Sequence, residues 1–101
     1  MRILVMFDLP VVNAADRRDY QIFRKYLIKN GFLMMQESIY CKIVPNTVVA
    51  ENVIDQLHKN KPKKGIAQVL KITEKQFSKI EYLVGSSTSE VYDGDERLVI
   101  L

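Results

Sequence analysis

The residues Ile3 to Phe7 form an unbroken apolar run that stops at Asp8 and Pro10, and such a run has few places to go. It falls far short of the roughly 20 residues that span a bilayer, and it reads as a strand buried on both faces. An Arg followed by apolar residues also opens many secretory leaders. Here no small-residue cleavage site follows and Asp8 closes the run, so the strand reading stands. A chain of 101 residues has room for one domain. Its 48% hydrophobic content supplies a packed core, and a domain this small gains stability from an interface with a partner.

The rest of the chain sorts into elements around that strand. Asn13 or a neighbour caps a helix running to about Asn30, and Gly31 stops it. Tyr20, Phe23, Tyr26 and Leu27 make one apolar stripe, with Arg18, Lys25 and Lys29 together on the opposite side. Phe32 to Val44 is strand-like but long for one strand, which predicts a hairpin bend near Gln36 to Ser38. Pro45 and Asn46 open a second helix whose inner stripe is Val49, Ala50, Val53, Ile54 and Leu57, and Asn60 and Pro62 end it. A basic loop, Lys61-Pro62-Lys63-Lys64-Gly65, feeds a strand from Ile66 to Ile72.

Thr73-Glu74-Lys75-Gln76 has capping-box spacing and starts a short helix, with Phe77, Ile80 and Val84 inward and Gly85 as its end. Val91-Tyr92 and Leu98 to Leu101 flank the turn-like Asp93-Gly94-Asp95. The order is β-α-β-β-α-β plus a short helix and a terminal strand. It predicts an α+β, ferredoxin-like domain over residues 1–101, with about 86–101 as a C-terminal extension. That fold hosts many unrelated activities, so function has to come from the residues it carries.

The net charge of +3 says little, but its distribution says more. Residues 14–30 carry Arg17, Arg18, Arg24, Lys25 and Lys29 against Asp16 and Asp19. Residues 57–75 carry Lys59, Lys61, Lys63, Lys64, Lys71 and Lys75 against Glu74. The tail reverses sign, with Glu90, Asp93, Asp95 and Glu96 against Arg97. Two basic segments and an acidic tail point to an anionic partner and a separate contact surface, although a solvated face with ordinary charge scatter explains the same counts. Cys41 is the sole cysteine, which excludes an intrachain disulfide and a multi-cysteine zinc site and fits a reduced cytoplasm.

Several stretches carry a resemblance. They are Phe7-Asp8-Leu9-Pro10 at the end of the first strand, Phe23-Arg24-Lys25 in the first helix, Gly31-Phe32 after it, and Gln36, Ser38, Ile39 and Tyr40 in a Gln-x-Ser-aliphatic-aromatic pattern. Pro62-Lys63-Lys64-Gly65, the run Ile72 to Phe77 and the ending Glu96 to Leu101 extend it. In order and spacing these resemble the CRISPR-associated protein two family, and in particular members that accompany type II loci.

The resemblance covers nearly the whole chain. It implies a homodimer whose terminal strand crosses onto the partner's sheet. It further implies a role in antiviral defence, in which that dimer bridges two dimers of the CRISPR integrase subunit along captured double-stranded spacer DNA. For some members it also implies a magnesium-dependent nuclease acting on RNA or DNA, in which the aspartate ending the first strand meets its twofold mate around one metal. That position is Asp8.

Asp8 is therefore the catalytic and metal-binding candidate. Magnesium prefers carboxylate and water oxygens, and one carboxylate per protomer makes a poorer site than two across a dimer axis. Read without the resemblance, Asp8 equally fits a residue that accepts local backbone N–H groups. Asp16 and Asp19 are accounted for by the favourable end of the helix dipole, and the lone His58 is given no role.

Nucleic-acid binding falls to Arg17, Arg18, Lys25, Lys29, Lys61, Lys63 and Lys64, because a protein that reads no sequence meets the duplex through phosphates. The acidic, aliphatic tail from Val91 to Leu101 is better suited to protein contact, against the second protomer or the integrase subunit. A small-molecule regulatory module on the same fold finds no glycine-rich phosphate cradle here.

Overall fold

A computed structural model describes residues 1–86 and gives seven elements in chain order: β1 (Arg2–Asp8), α1 (Ala14–Lys29), β2 (Leu33–Gln36), β3 (Ile39–Ile43), α2 (Thr47–Lys59), β4 (Ile66–Ile72) and α3 (Glu74–Phe77). The four strands form one antiparallel sheet in the order β2-β3-β1-β4. With α1 and α2 on one face, this is the ferredoxin-like α+β arrangement that the element order predicts. The terminal strand and nearly all of the C-terminal extension expected at 86–101 lie outside the described residues.

Local chemistry sets the element ends. The Asn13 side chain accepts the Asp16 N–H at 2.8 Å and the Asn46 side chain accepts the Val49 N–H at 2.9 Å, so each long helix opens on an asparagine cap. Gly31, at φ 87°, turns the chain out of α1. The hairpin falls where the sequence places it, at Glu37 and Ser38, and the register shifts between Met34 and Gln36. In α3, Thr73 and Gln76 complete a reciprocal capping box.

The core lies between the sheet and the two long helices. Ile3, Val5 and Phe7 point into it from β1, meeting Phe23 and Leu27 of α1 and Ala50 and Leu57 of α2. Phe7 sits at the centre, edge-on to Phe23 at 5.3 Å and to Tyr20 at 5.9 Å, and stacked on Tyr40 at 5.7 Å. Such aromatic pairs contribute about 0.5–1.5 kcal/mol each beyond the area they bury.

Two sequence expectations are corrected. Among the described residues β1 is fully buried on one face only: Ile3, Val5 and Phe7 are buried, whereas Leu4 and Met6 are half-buried on the side away from the helices. An unbroken apolar run does not distinguish a strand covered twice by its own chain from one that leaves its second face for another molecule. α3 is also a single turn ending at Phe77, so Val84 is 92% exposed instead of facing inward. Among the described residues no element lies over Val84.

Candidate functional site

The antiparallel register decides which residues share the helix-free face, because residues directly opposite one another point to the same side. Leu33, Cys41, Leu4 and Leu70 form one row straight across the sheet. Ile39, Met6 and Gln68 form the next, and Ile43, Arg2 and Ile72 another. This face is apolar along its middle row, with Gln68 beside Met6 and the charged Arg2 and Asp8 at its two ends. Leu33, Ile43, Ile66 and Leu70 on it are all largely exposed.

At its Arg2 end the open face is bounded by α3. The Arg2 Nε donates to both carboxylate oxygens of Glu74 at 3.1 and 3.0 Å, and its guanidinium carbon lies 3.7 Å from the Phe77 ring centroid. Burial by itself lowers the Arg2 pKa, but the contacts with Cys41 and Glu74 outweigh it and hold the group above its ordinary value.

Asp8 closes the opposite end. Its Cα pairs with Ile66 across the β1–β4 ladder, on the same face as Leu4 and Met6, and it is exposed. The strand end that carries it is fixed from both sides: Phe7 N–H donates to the Ser38 carbonyl at 3.0 Å, and Gly65 packs directly on the Asp8 backbone. Among the described residues no group of three or more His, Cys, Asp or Glu side chains is placed to hold a metal ion. Asp8 offers a single exposed carboxylate at this strand end.

The predicted cations divide into two sets. Arg17 and Arg18 in the first turns of α1 and Lys61, Lys63 and Lys64 in the loop before β4 gather at the Asp8 end of the molecule, because Lys64 reaches Asp16 in the first turn of α1 at 3.3 Å. Lys25 and Lys29 continue along α1, away from that end, in line with Arg18 on an exposed stripe. Arg18, Lys25, Lys29, Lys61 and Lys63 form no ion pair among the described residues. Arg17 folds back to donate to the Val11 and Val12 carbonyls at 3.3 and 3.2 Å.

The residue that sequence reasoning missed is Asp16. It is the one buried charged residue among those described, and its partner lies 48 positions away, so no local pattern announces the contact. A groove of about 250 Å³ between α2 and β4 is lined by Val5, Phe23, Ile54, Leu57, Ala67 and Val69, with His58 and Lys61 at its rim. It contains no acidic group.

The sheet order and the two helices on one face fit the fold that the resemblance implies, and direct comparison decides the family. The family model described as CRISPR associated protein Cas2 matches residues 1–80. The chain belongs to the Cas2 family. A CRISPR-associated endoribonuclease Cas2 from Treponema denticola is 48% identical over 101 residues, covering all of both chains. Its counterpart from Streptococcus mutans is 42% identical over the whole of this chain and 93% of its own length, and one from Ligilactobacillus salivarius is 40% identical over all of both. A place in CRISPR biology follows for this Cas2 family member. Among its described residues no helix is long and apolar enough to cross a membrane.

Proposed function

We propose that this Cas2 family member is a structural, DNA-bridging subunit of the spacer-acquisition complex, working in the cytoplasm as a homodimer. The observation that carries the reading is the separation of two surfaces on one small domain. The sheet face rowed by Leu33, Cys41, Leu4 and Leu70 is apolar, whereas the exposed cations lie on the outer side of α1 and on the loop before β4. Apolar surface of that extent calls for a protein partner, and a second copy of the same face is self-complementary.

The cations meet a different partner. Arg18, Lys25, Lys29, Lys61 and Lys63 are exposed and form no ion pair among the described residues, which supports a reading in which the dimer grips the phosphates of duplex DNA of any sequence and holds two integrase dimers a fixed distance apart. The test is a titration of duplex DNA across salt concentrations. The expected result is sequence-independent binding whose log K falls linearly with log salt. The double variant Lys25→Gln/Lys29→Gln should lower that slope by about 1.8, at roughly 0.9 for each phosphate no longer neutralised. Salt-independent binding contradicts the reading.

A second reading is favoured by the names of the relatives, which describe endoribonucleases. Here the two Asp8 carboxylates of a dimer would hold magnesium, and the metal when bound would supply Lewis acidity at a phosphate ester. Asp8 itself would bind and orient, since its strand end is held by Ser38 and Gly65. Magnesium-dependent cleavage by the wild type that is lost in Asp8→Ala supports this reading, and equal cleavage by both proteins sinks it.

A further inference from the structure

Three lysines share the loop between α2 and β4, and the sequence treats them as equivalent. The structure separates them. Lys61 and Lys63 are exposed and form no ion pair among the described residues. Lys64 is exposed too, at 64% of its side chain, but its ammonium lies 3.3 Å from a carboxylate oxygen of Asp16, a residue only 6% exposed. Removing the lysine would leave that buried carboxylate without its one side-chain partner, a cost that persists although the lysine side of the pair is open to water.

The pair joins two parts of the chain that no strand ladder connects, the first turn of α1 and the loop leading into β4. Leu9, Pro10, Asp19, Tyr20 and Pro62 line a pocket of only about 10 Å³ beside it. The next residue, Gly65, then lies so near the end of β1 that a Cβ there would sit 2.5 Å from the Asp8 carbonyl oxygen.

We infer that Lys64 is a positioning residue and not a phosphate contact. Its charge is committed to Asp16, and the pair latches the loop to α1. The latch sets where Lys61 and Lys63 stand relative to Arg18, whereas Gly65 is held against Asp8 by the adjoining Asp8–Ile66 pairing. This inference rests on the DNA-bridging reading only for the role of Lys61 and Lys63; the latch itself is a property of the folded chain.

Amide hydrogen exchange over residues 61–66 tests the latch without DNA. Lys64→Gln should speed exchange there on the order of tenfold, while Lys63→Gln leaves it unchanged. Lys64→Arg, which keeps the charge and reach, should restore the protection. Equal exchange in the Lys64→Gln and Lys63→Gln proteins overturns the latch.

Salt-dependent duplex binding tests the division of labour. Lys61→Gln and Lys63→Gln should each reduce the slope of log K against log salt by about 0.9. The charge-neutral double variant Asp16→Asn/Lys64→Gln, which keeps a hydrogen-bonding pair at the junction, should leave that slope at the wild-type value. A drop of about 0.9 in the double variant makes Lys64 a phosphate contact after all and overturns the inference. A wild type that binds no duplex refutes the DNA-bridging reading and the role given to Lys61 and Lys63, while the exchange result still decides the latch.

Discussion

A Cβ on residue 65 would stand 2.5 Å from the Asp8 carbonyl oxygen, closer than any side chain tolerates, and Gly65 also adopts φ +82°. Both the space and the backbone conformation exclude other residues, at the point where the basic loop meets the strand end that carries Asp8. Gly65→Ala should therefore destabilise the domain by about 1–3 kcal/mol, read as a lowered denaturation midpoint. An unchanged midpoint would mean that the loop and β1 do not pack this closely.

The row Leu33–Cys41–Leu4–Leu70 gives a prediction about assembly. Leu70 is 48% exposed on the open face, so a charge there harms the isolated protomer little. If two copies pack through this face, Leu70→Glu buries a carboxylate without a partner and splits the dimer. Light scattering should show the mass of the wild type halved in the variant, with the far-ultraviolet circular dichroism spectrum kept. A variant that remains dimeric moves the interface elsewhere.

The Tyr40 hydroxyl is buried without a hydrogen-bond partner among the described residues, while its ring stacks on Phe7. Removing an unpaired buried hydroxyl relieves a desolvation penalty. Tyr40→Phe should therefore be neutral or stabilising by up to about 1–2 kcal/mol in chemical denaturation. A loss of more than about 1 kcal/mol would show that the hydroxyl is satisfied in solution.

The parts legible in the sequence were those set by short-range chemistry. Asn13 and Asn46 as caps, Gly31 as a stop, the bend at Glu37 and Ser38, and the inward stripes of α1 and α2 each depend on residues a few positions apart. Asp8 stands exposed at the end of β1, as its place after an apolar run implies.

What stayed hidden depends on long-range approach. The first turn of a helix attracts acids whether or not they are buried, so the pattern around Asp16 cannot reveal that Lys64 covers it. The continuous run in β1 conceals an alternation, since Leu4 and Met6 are as apolar as the core residues Ile3, Val5 and Phe7 but point to the opposite face. Val84 fits a helical stripe with Phe77 and Ile80, but the helix ends after one turn and the stripe is never formed.

As a scaffold, this Cas2 family member would not use Asp8 for chemistry during spacer acquisition. Reconstituted spacer integration with the cognate integrase subunit tests it most directly, comparing reactions with no small subunit, with wild type and with Asp8→Ala. The account predicts that wild type stimulates integration and that Asp8→Ala matches it. An Asp8→Ala protein that dimerises and binds duplex DNA yet fails to stimulate integration would contradict the claim.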